Sequence, residues 1–165
     1  MKVLLTGSTG FIGKYIVSHF GKNKNIELRI STRKENFNVS GIEEVTIGDI
    51  NSNTDWSKAL EGIDSIIHLA GLAHESTMFN KLSLSDYKEI NISGTLNLAS
   101  QASRLGIKRF IFLSSIKVNG EKTFPKKPFT ADDLPMPSTP YGISKYEAEK
   151  QLMKIANKSD IEVVI

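Results

Sequence analysis

Short apolar runs rich in valine, isoleucine and leucine alternate along the chain with segments in which apolar residues recur at helical spacing. This alternation is typical of a parallel sheet whose strands are joined by crossover helices. The pattern therefore predicts the α/β fold class, with a doubly wound parallel sheet and helices on both of its faces. Six runs are predicted strands: Lys2–Thr6, Ile26–Thr32, Glu44–Ile47, Ser65–Leu69, Arg109–Ser114 and Ile161–Ile165.

The segments with helical spacing predict four helices, over Phe11–Phe20, Asp55–Leu60, Asp86–Arg104 and Tyr141–Asn157. All five prolines fall between residues 125 and 140. Proline cannot continue a helix or a central strand, so residues 116–140 are predicted to form one irregular loop after the fifth strand. Loops of this length inside a compact domain are usually lids or binding loops, which favours a functional role over a plain surface connection.

The composition is that of one globular domain. The chain has 165 residues, of which 39% are hydrophobic and 24% charged, and its formal net charge is +3. The basic residues are scattered, so no nucleic-acid partner is predicted. The absence of cysteine excludes disulfides and thiolate metal sites, and no apolar run approaches the roughly 18 residues that span a bilayer. We expect a cytoplasmic protein with no metal and no membrane partner.

A glycine-rich turn follows the first predicted strand and opens the first predicted helix. Its glycines, Gly7, Gly10 and Gly13, are spaced by three. Gly7 would permit the tight turn, Gly10 would let the backbone approach a pyrophosphate, and Gly13 would let helix and strand pack closely. Unpaired N–H groups and the helix dipole at such a helix start favour an anion. The strand and helix context predicts a Rossmann-type dinucleotide site rather than a purely structural turn.

The end of the second predicted strand bears on the choice of cofactor. An acid at this place usually binds the ribose hydroxyls of NAD, but the strand ends in Ile30-Ser31-Thr32-Arg33-Lys34, with no acid. An arginine here can pair with the 2′-phosphate of NADP. NADP is therefore favoured over NAD, unless Arg33 is only a solvated loop charge.

Two tyrosine–lysine pairs at a spacing of four are candidates for acid/base chemistry: Tyr141 with Lys145, and Tyr146 with Lys150. A tyrosine side chain has an ordinary pKa near 10, so its phenolate needs roughly 4 kcal/mol of electrostatic stabilisation to form near neutral pH. An ammonium group about 4 Å away can supply about that much. Five residues rotate a helix by about 500°, so only one pair can face the cofactor. Tyr141 is favoured, because it follows the long loop at the carboxyl edge of the sheet.

Hydroxyl groups are predicted at the same edge. Ser114 and Ser115 end the fifth predicted strand, where Ser115 could donate a hydrogen bond to a substrate oxygen beside Tyr141. The alternative is that both serines only satisfy backbone groups where the strand ends. His68 is predicted to be structural, because no second ligand lies near it in the sequence.

Together these motifs resemble the extended short-chain dehydrogenase/reductases, in particular the NAD-dependent epimerase/dehydratase family. The resemblance covers essentially the whole chain. Besides the glycine turn it rests on Gly48-Asp49-Ile50, His68-Leu69-Ala70-Gly71, Asn91-Ile92-Ser93-Gly94-Thr95, Ser114-Ser115, Asp132-Asp133 and Pro140-Tyr141-Gly142-Ile143-Ser144-Lys145.

The resemblance implies a role for each matching position. Ser115, Tyr141 and Lys145 match a catalytic trio in which the tyrosine moves a proton on a sugar hydroxyl and the lysine also holds the nicotinamide ribose. Asn91 would support the active site. The implied cofactor-binding residues are Gly7, Thr9, Gly10, Phe11, Ile12, Gly13, Arg33, Asp49, Ile50, Leu69, Ala70, Gly71, Asn91, Ser114, Tyr141 and Lys145.

The implied function is NAD(P)-dependent epimerisation of a nucleotide sugar, by hydride transfer at C4 of a UDP-hexose. Dehydration is disfavoured, because Ile116 and Lys117 follow Ser115 where family dehydratases have an acid pair. One alternative is an NAD(P)H-dependent 4-ketoreductase of a nucleotide-linked keto-deoxy sugar. An alternative of another class is a non-catalytic dinucleotide-sensing module, which would have no use for an activated tyrosine.

The resemblance also bears on domain organisation and partners. We expect residues 1–165 to be the NAD(P)-binding domain, and the substrate-binding C-terminal part of the family to be absent from this chain. The 165 residues alone are then expected to be inactive on sugar. Family members suggest a homodimer and a role in polysaccharide biosynthesis.

Overall fold

The computed structural model describes residues 1–34, 39–73, 82–123 and 125–165. Six parallel strands in these ranges form one sheet in the order β3-β2-β1-β4-β5-β6, which confirms the predicted doubly wound α/β fold. The strands are β1 (Lys2–Thr6), β2 (Glu27–Thr32), β3 (Glu43–Thr46), β4 (Ser65–His68), β5 (Arg109–Phe112) and β6 (Glu162–Val164).

The strand register brings the functional segments to one edge of the sheet. Thr6, His68 and Phe112 are aligned across β1, β4 and β5, and each is the last residue of its strand. The glycine turn, the segment after β4 and the two serines after β5 therefore leave the sheet side by side. This is the carboxyl edge, where ligands bind in open parallel sheets.

Helices cover both faces of the sheet. They are α1 (Phe11–Phe20), α2 (Ser57–Leu60), α3 (Leu84–Tyr87), α4 (Thr95–Arg104) and α5 (Pro140–Ala156). A π-helical segment, Lys88–Gly94, joins α3 to α4, so the single helix predicted from residue 86 contains a wider turn. It also begins two residues earlier than predicted, because Ser83 and Asp86 form a reciprocal capping box.

Two apolar clusters form the core. The larger includes Leu4, Trp56, Ile66, Leu98 and Phe110, and the smaller, centred on α1, includes Val3, Leu5, Val17, Leu28 and Ile30. Leu4 and its neighbours Val3 and Leu5 fall in different clusters because successive strand residues point to opposite faces. Both faces of β1 are therefore buried, as the apolar run Val3-Leu4-Leu5 in this strand predicts.

The predicted loop over residues 116–140 is only partly irregular. Residues Ile116–Val118 form a 3₁₀-helical turn, and Pro140 is already the first residue of α5. The prediction of a fully irregular segment was wrong at both ends. All five prolines lie after this first turn, and the Ser115 hydroxyl caps it by accepting from the Lys117 N–H. Phe124, within the same loop, lies outside the described residues.

Candidate cofactor and active site

The three glycines of the turn after β1 are required for different reasons. Gly7 has a φ of +71°, a conformation that favours glycine. A Cβ on Gly13 would lie 2.1 Å from the carbonyl oxygen of Gly7, which excludes any side chain. The close approach is thus to the turn itself rather than to a strand. A Cβ on Gly10 would meet only the Gly7 oxygen, at 3.3 Å, so the contacts described around Gly10 leave room for a ligand.

The start of α1 is suited to an anion. Gly10 is its N-cap residue and has no side chain that could cap the first turn. The free N–H groups and the positive end of the helix dipole therefore point towards the carboxyl edge. Phe11, with 95% of its surface exposed, and Ile12 stand beside this turn. Such a cradle fits the pyrophosphate of a dinucleotide.

A cleft of about 940 Å³ opens next to this turn, along the ends of β1 to β4. Ser31 is among the residues that line it, and the buried hydroxyl of Ser31 has no hydrogen-bond partner among the described residues. An orphaned buried hydroxyl of this kind suits a polar ligand. The predicted cofactor residues that line the cleft are Gly7, Thr9, Arg33, Asp49, Ile50, Ala70 and Gly71.

Arg33 and Asp49 form an ion pair at the mouth of the cleft. The Arg33 Nε lies 2.9 Å from an Asp49 carboxylate oxygen, and both side chains are about three-quarters exposed, at 73% and 75%. Sequence reasoning treated the two residues separately and did not foresee this pair. At β2 itself, the Thr32 hydroxyl donates to Glu44 of β3. The acid of β2, Glu27, is its first residue and is not among the residues that line the cleft, so no acid stands at the end of β2, in agreement with the sequence.

Asn91 supports the wall of the cleft from inside. It is 1% exposed and lies in the π-helical segment. Its side-chain oxygen accepts from the Leu72 N–H at 2.7 Å, while its amide group donates to the Leu72 carbonyl and to the Ser144 hydroxyl. Asn91 thus joins the segment after β4 to α5, which fits a supporting role. Direct contact of Asn91 with a cofactor stays a prediction.

Lys145 is a buried cation on α5. It is only 4% exposed, and its Nζ lies 3.9 Å from the centre of the Phe112 ring. Desolvation lowers the pKa of Lys145 to about 8, while the negative charge of Glu149 acts in the opposite direction. Burying a lysine costs stability, and residues with strongly shifted pKa values concentrate at functional sites. Near neutral pH the ammonium form still predominates.

Tyr141 and Ser115 are brought to the same corner of the molecule. Thr139 caps α5 and Pro140 is its first residue, so Tyr141 lies in the first turn. A Cβ on Gly142 would lie 2.6 Å from the carbonyl oxygen of Lys117. This turn therefore packs directly on the 3₁₀ turn that Ser115 caps. The sequence analysis assigned Gly142 no role in packing, although this glycine directly follows the candidate tyrosine.

The second tyrosine–lysine pair has a different environment. Lys150 is exposed, bonds Glu147 at 2.8 Å, and lies 5.2 Å from the centre of the Tyr146 ring. Lys145, by contrast, is buried. The two lysines therefore differ in burial, and the choice of Tyr141 and Lys145 as the functional pair stays a prediction.

The Ser114 hydroxyl donates to the Glu149 carboxylate of α5. Ser114 thus contacts α5, and its contact with a cofactor stays a prediction. His68 is structural, as predicted. Its ring nitrogens bond the hydroxyls of Thr6, at 2.7 Å, and Thr95, at 3.0 Å. Desolvation, aided by the charge of Lys145, lowers the pKa of His68 to about 3, so the ring is neutral near pH 7.

No group of three or more acidic, histidine or cysteine side chains in the described ranges is arranged to hold a metal ion. None of the helices described is both long and apolar enough to cross a membrane.

Comparison with known proteins identifies relatives over nearly the whole chain. The model of the NAD dependent epimerase/dehydratase family matches residues 3–165. A UDP-glucose 4-epimerase of Vibrio cholerae is 42% identical over 163 residues, which are 99% of this chain and 49% of that protein. An Escherichia coli O157:H7 enzyme, N-acetyl-alpha-D-glucosaminyl-diphospho-ditrans,octacis-undecaprenol 4-epimerase, is 30% identical over 97% of this chain and 45% of its own length.

Solved structures agree with this relationship. The UDP-glucuronic acid 4-epimerase of Bacillus cereus, in complex with UDP-glucuronic acid and NAD, superposes with a TM-score of 0.84 and 29% identity. The match covers 100% of this chain and 55% of that structure. The chain thus spans about half the length of the relatives it matches.

Proposed function

The chain belongs to the NAD-dependent epimerase/dehydratase family, and on that premise we propose that it is the dinucleotide-binding part of a nucleotide-sugar 4-epimerase acting on a UDP-hexose. One observation carries the proposal: Lys145, one helical turn after Tyr141, holds its buried ammonium group against the ring of Phe112, the last residue of β5, at the carboxyl edge of the sheet. The 4-epimerase names of the relatives support it. Relatives about twice as long support the proposal that most of the sugar site lies outside residues 1–165.

The proposed chemistry is divided among three side chains. Tyr141 takes the proton from the sugar hydroxyl and later returns it, and Ser115 shares a hydrogen bond with the same oxygen. Lys145 stabilises the phenolate by its charge and binds the nicotinamide ribose. When bound, the nicotinamide cofactor supplies a hydride acceptor and donor. The uncapped start of α1 and Gly10 hold the pyrophosphate.

For the cofactor, relatives of known structure are in complex with NAD. We propose that this chain nevertheless favours NADP, because Arg33 lies at the cleft and no acid ends β2. The 2′-phosphate would compete with Asp49 for the Arg33 guanidinium, since phosphate and carboxylate bind the same donor fork. The Arg33–Asp49 pair is exposed, so its rearrangement costs little.

A test by titration uses the 165-residue chain and the fluorescence of NADH and NADPH. The wild type should bind, and Gly10→Val should lose at least tenfold in affinity, because the added side chain fills the pyrophosphate space. Gly10→Ala serves as a graded control with an intermediate loss. Melting curves establish that both variants fold. A folded Gly10→Val variant with unchanged affinity would refute the proposed site.

Arg33 also favours a second candidate, the 4-ketoreductase. A reductase consumes one NADPH per turnover, whereas an epimerase regenerates its cofactor within each cycle. In a full-length protein that contains this chain, the two reactions are separated by NADPH consumption during sugar turnover. Stoichiometric consumption identifies the reductase, and epimerisation without net consumption identifies the epimerase.

A further inference from the structure

Glu149 lies on α5, one helical turn after Lys145 and two turns after Tyr141. Residues four apart in a helix are neighbours on its surface, so the three side chains follow one another along one side of α5. Neither the sequence motifs nor the proposed chemistry gives Glu149 a role.

The carboxylate of Glu149 has a partner outside its own helix. It accepts a hydrogen bond from the Ser114 hydroxyl, in the segment that leaves β5. Ser114 immediately precedes Ser115 in the chain. The contact therefore ties the segment that carries Ser115 to the helix that carries Tyr141 and Lys145.

Glu149 also acts on the charge of Lys145. Among the described residues, two ionisable groups interact electrostatically with this ammonium: Glu149 on the same helix and His68 on β4. The uncharged ring of Phe112 lies against it. His68 is neutral at physiological pH, because its pKa lies at about 3. Within the described ranges, Glu149 is the anion whose charge opposes the desolvation of Lys145.

We propose that Glu149 is a positioning residue of this site: its carboxylate holds the Ser114–Ser115 segment against α5, and its negative charge keeps the buried ammonium group of Lys145 protonated. The inference rests on the proposed function for the chemistry of Tyr141 and Lys145. The effect of Glu149 on Lys145 is a property of the folded chain itself.

The charge effect is tested by NMR titration of ¹³C-labelled lysine side chains in the 165-residue chain without cofactor, with the Lys145 signal assigned from Lys145→Arg. The wild-type midpoint is expected at about pH 8. Glu149→Gln keeps a hydrogen-bond acceptor but removes the charge, so the midpoint should fall by about one pH unit. Glu149→Asp restores the charge and should return the midpoint most of the way.

Glu147→Gln is the matched control. Glu147 lies on the same helix two residues before Glu149, and it pairs with Lys150 and Gln151 instead of Ser114. The variant removes the same charge from a different side of α5. The Lys145 midpoint should therefore stay within about 0.3 pH unit of the wild type.

The positioning effect is tested by hydrogen exchange at the Lys117 N–H, which donates a hydrogen bond to the Ser115 hydroxyl. Ser114→Ala and Glu149→Ala should each accelerate exchange at this amide at least threefold. The double variant should exchange little faster than either single variant, because both substitutions remove the same Ser114–Glu149 hydrogen bond. Ser114→Ala should leave the Lys145 midpoint in place.

The outcomes separate the two proposals. An unmoved Lys145 midpoint in a folded Glu149→Gln variant, or unchanged Lys117 exchange in both alanine variants, overturns the role of Glu149. Failure of the wild type to bind NADH and NADPH overturns the proposed function and leaves the effect of Glu149 on Lys145 standing.

Discussion

Replacing Lys145 by methionine should stabilise the folded chain without cofactor, although it removes a residue of the proposed active site. Lys145 is 4% exposed and keeps its charge near neutral pH. Its pKa falls from the ordinary 10.5 to about 8, which corresponds to about 3 kcal/mol at about 1.4 kcal/mol per pH unit. Methionine fills a similar volume without a charge, and its sulfur can contact the Phe112 ring in place of the ammonium group.

The loss of the cation–π contact offsets about 1 kcal/mol of this gain. A net stabilisation of about 2 kcal/mol is therefore expected at pH 7, which would raise the urea midpoint by about 1 M at a slope of about 2 kcal/mol/M. Such a gain from deleting a buried charge is the usual sign of a residue kept for function at the expense of stability.

The pH dependence of the difference follows from linkage. Because the folded state lowers the pKa of Lys145, the unfolded chain binds more protons between about pH 8 and 10.5. The cost of burying the charge is fully present below pH 8 and is relieved as the pH rises through this window. The advantage of Lys145→Met over the wild type should shrink accordingly between pH 8 and 10.5.

Urea unfolding of both proteins at pH 7.0 and 9.5 measures the effect, with other titrating groups cancelling in the comparison. Lys154→Met is the matched control, because Lys154 is exposed on the same helix. Its substitution should change stability by less than about 0.5 kcal/mol. A Lys145→Met variant less stable than wild type at pH 7, or a gain that does not change with pH, would refute the reasoning.

Four further predictions concern other parts of the structure. In a full-length protein, Tyr141→Phe should lower kcat by about 10² to 10⁴ and spare cofactor affinity, while Tyr146→Phe should stay within a few-fold; the reverse order would identify Tyr146 as the acid/base. Arg33→Ala should weaken NADPH binding about ten- to a hundredfold and leave the affinity for NADH unchanged. Equal losses of affinity for both cofactors would mean that Arg33 does not select NADPH. Gly13→Ala should destabilise the chain by at least about 3 kcal/mol, since its Cβ would lie 2.1 Å from the Gly7 oxygen. Gly10→Ala should cost less, and melting curves that show equal destabilisation of the two variants would contradict this prediction. Arg29→Met should cost about 3 kcal/mol in urea unfolding, because the buried guanidinium bonds the carbonyls of Lys58, Ala59 and Glu61 and the Glu43 carboxylate. Arg29 also holds the pKa of Glu43 below its usual value. The stability that the Arg29–Glu43 ion pair contributes should therefore be lost as the pH falls through the lowered pKa of Glu43. If Arg29→Met costs the same stability in acid as at neutral pH, the ion pair does not contribute.

The sequence by itself determined the sheet, the glycine turn and the candidate pair. The pattern of β1 identifies a strand buried on both faces, and the spacing of Gly7, Gly10 and Gly13 identifies the turn that follows it. Tyr141 and Lys145 share a helix face by their separation of four. All of these depend on residues close together in the chain, so local periodicity is enough to predict them.

The tertiary structure decided which of these side chains are buried and what they contact. The contacts of Asn91 with Ser144 and of Ser114 with Glu149 join residues 53 and 35 positions apart. Local spacing cannot predict such pairs, because packing of distant segments creates them. The same holds for the lowered pKa of Lys145, since desolvation depends on the chain that folds around the ammonium group rather than on its neighbours in sequence.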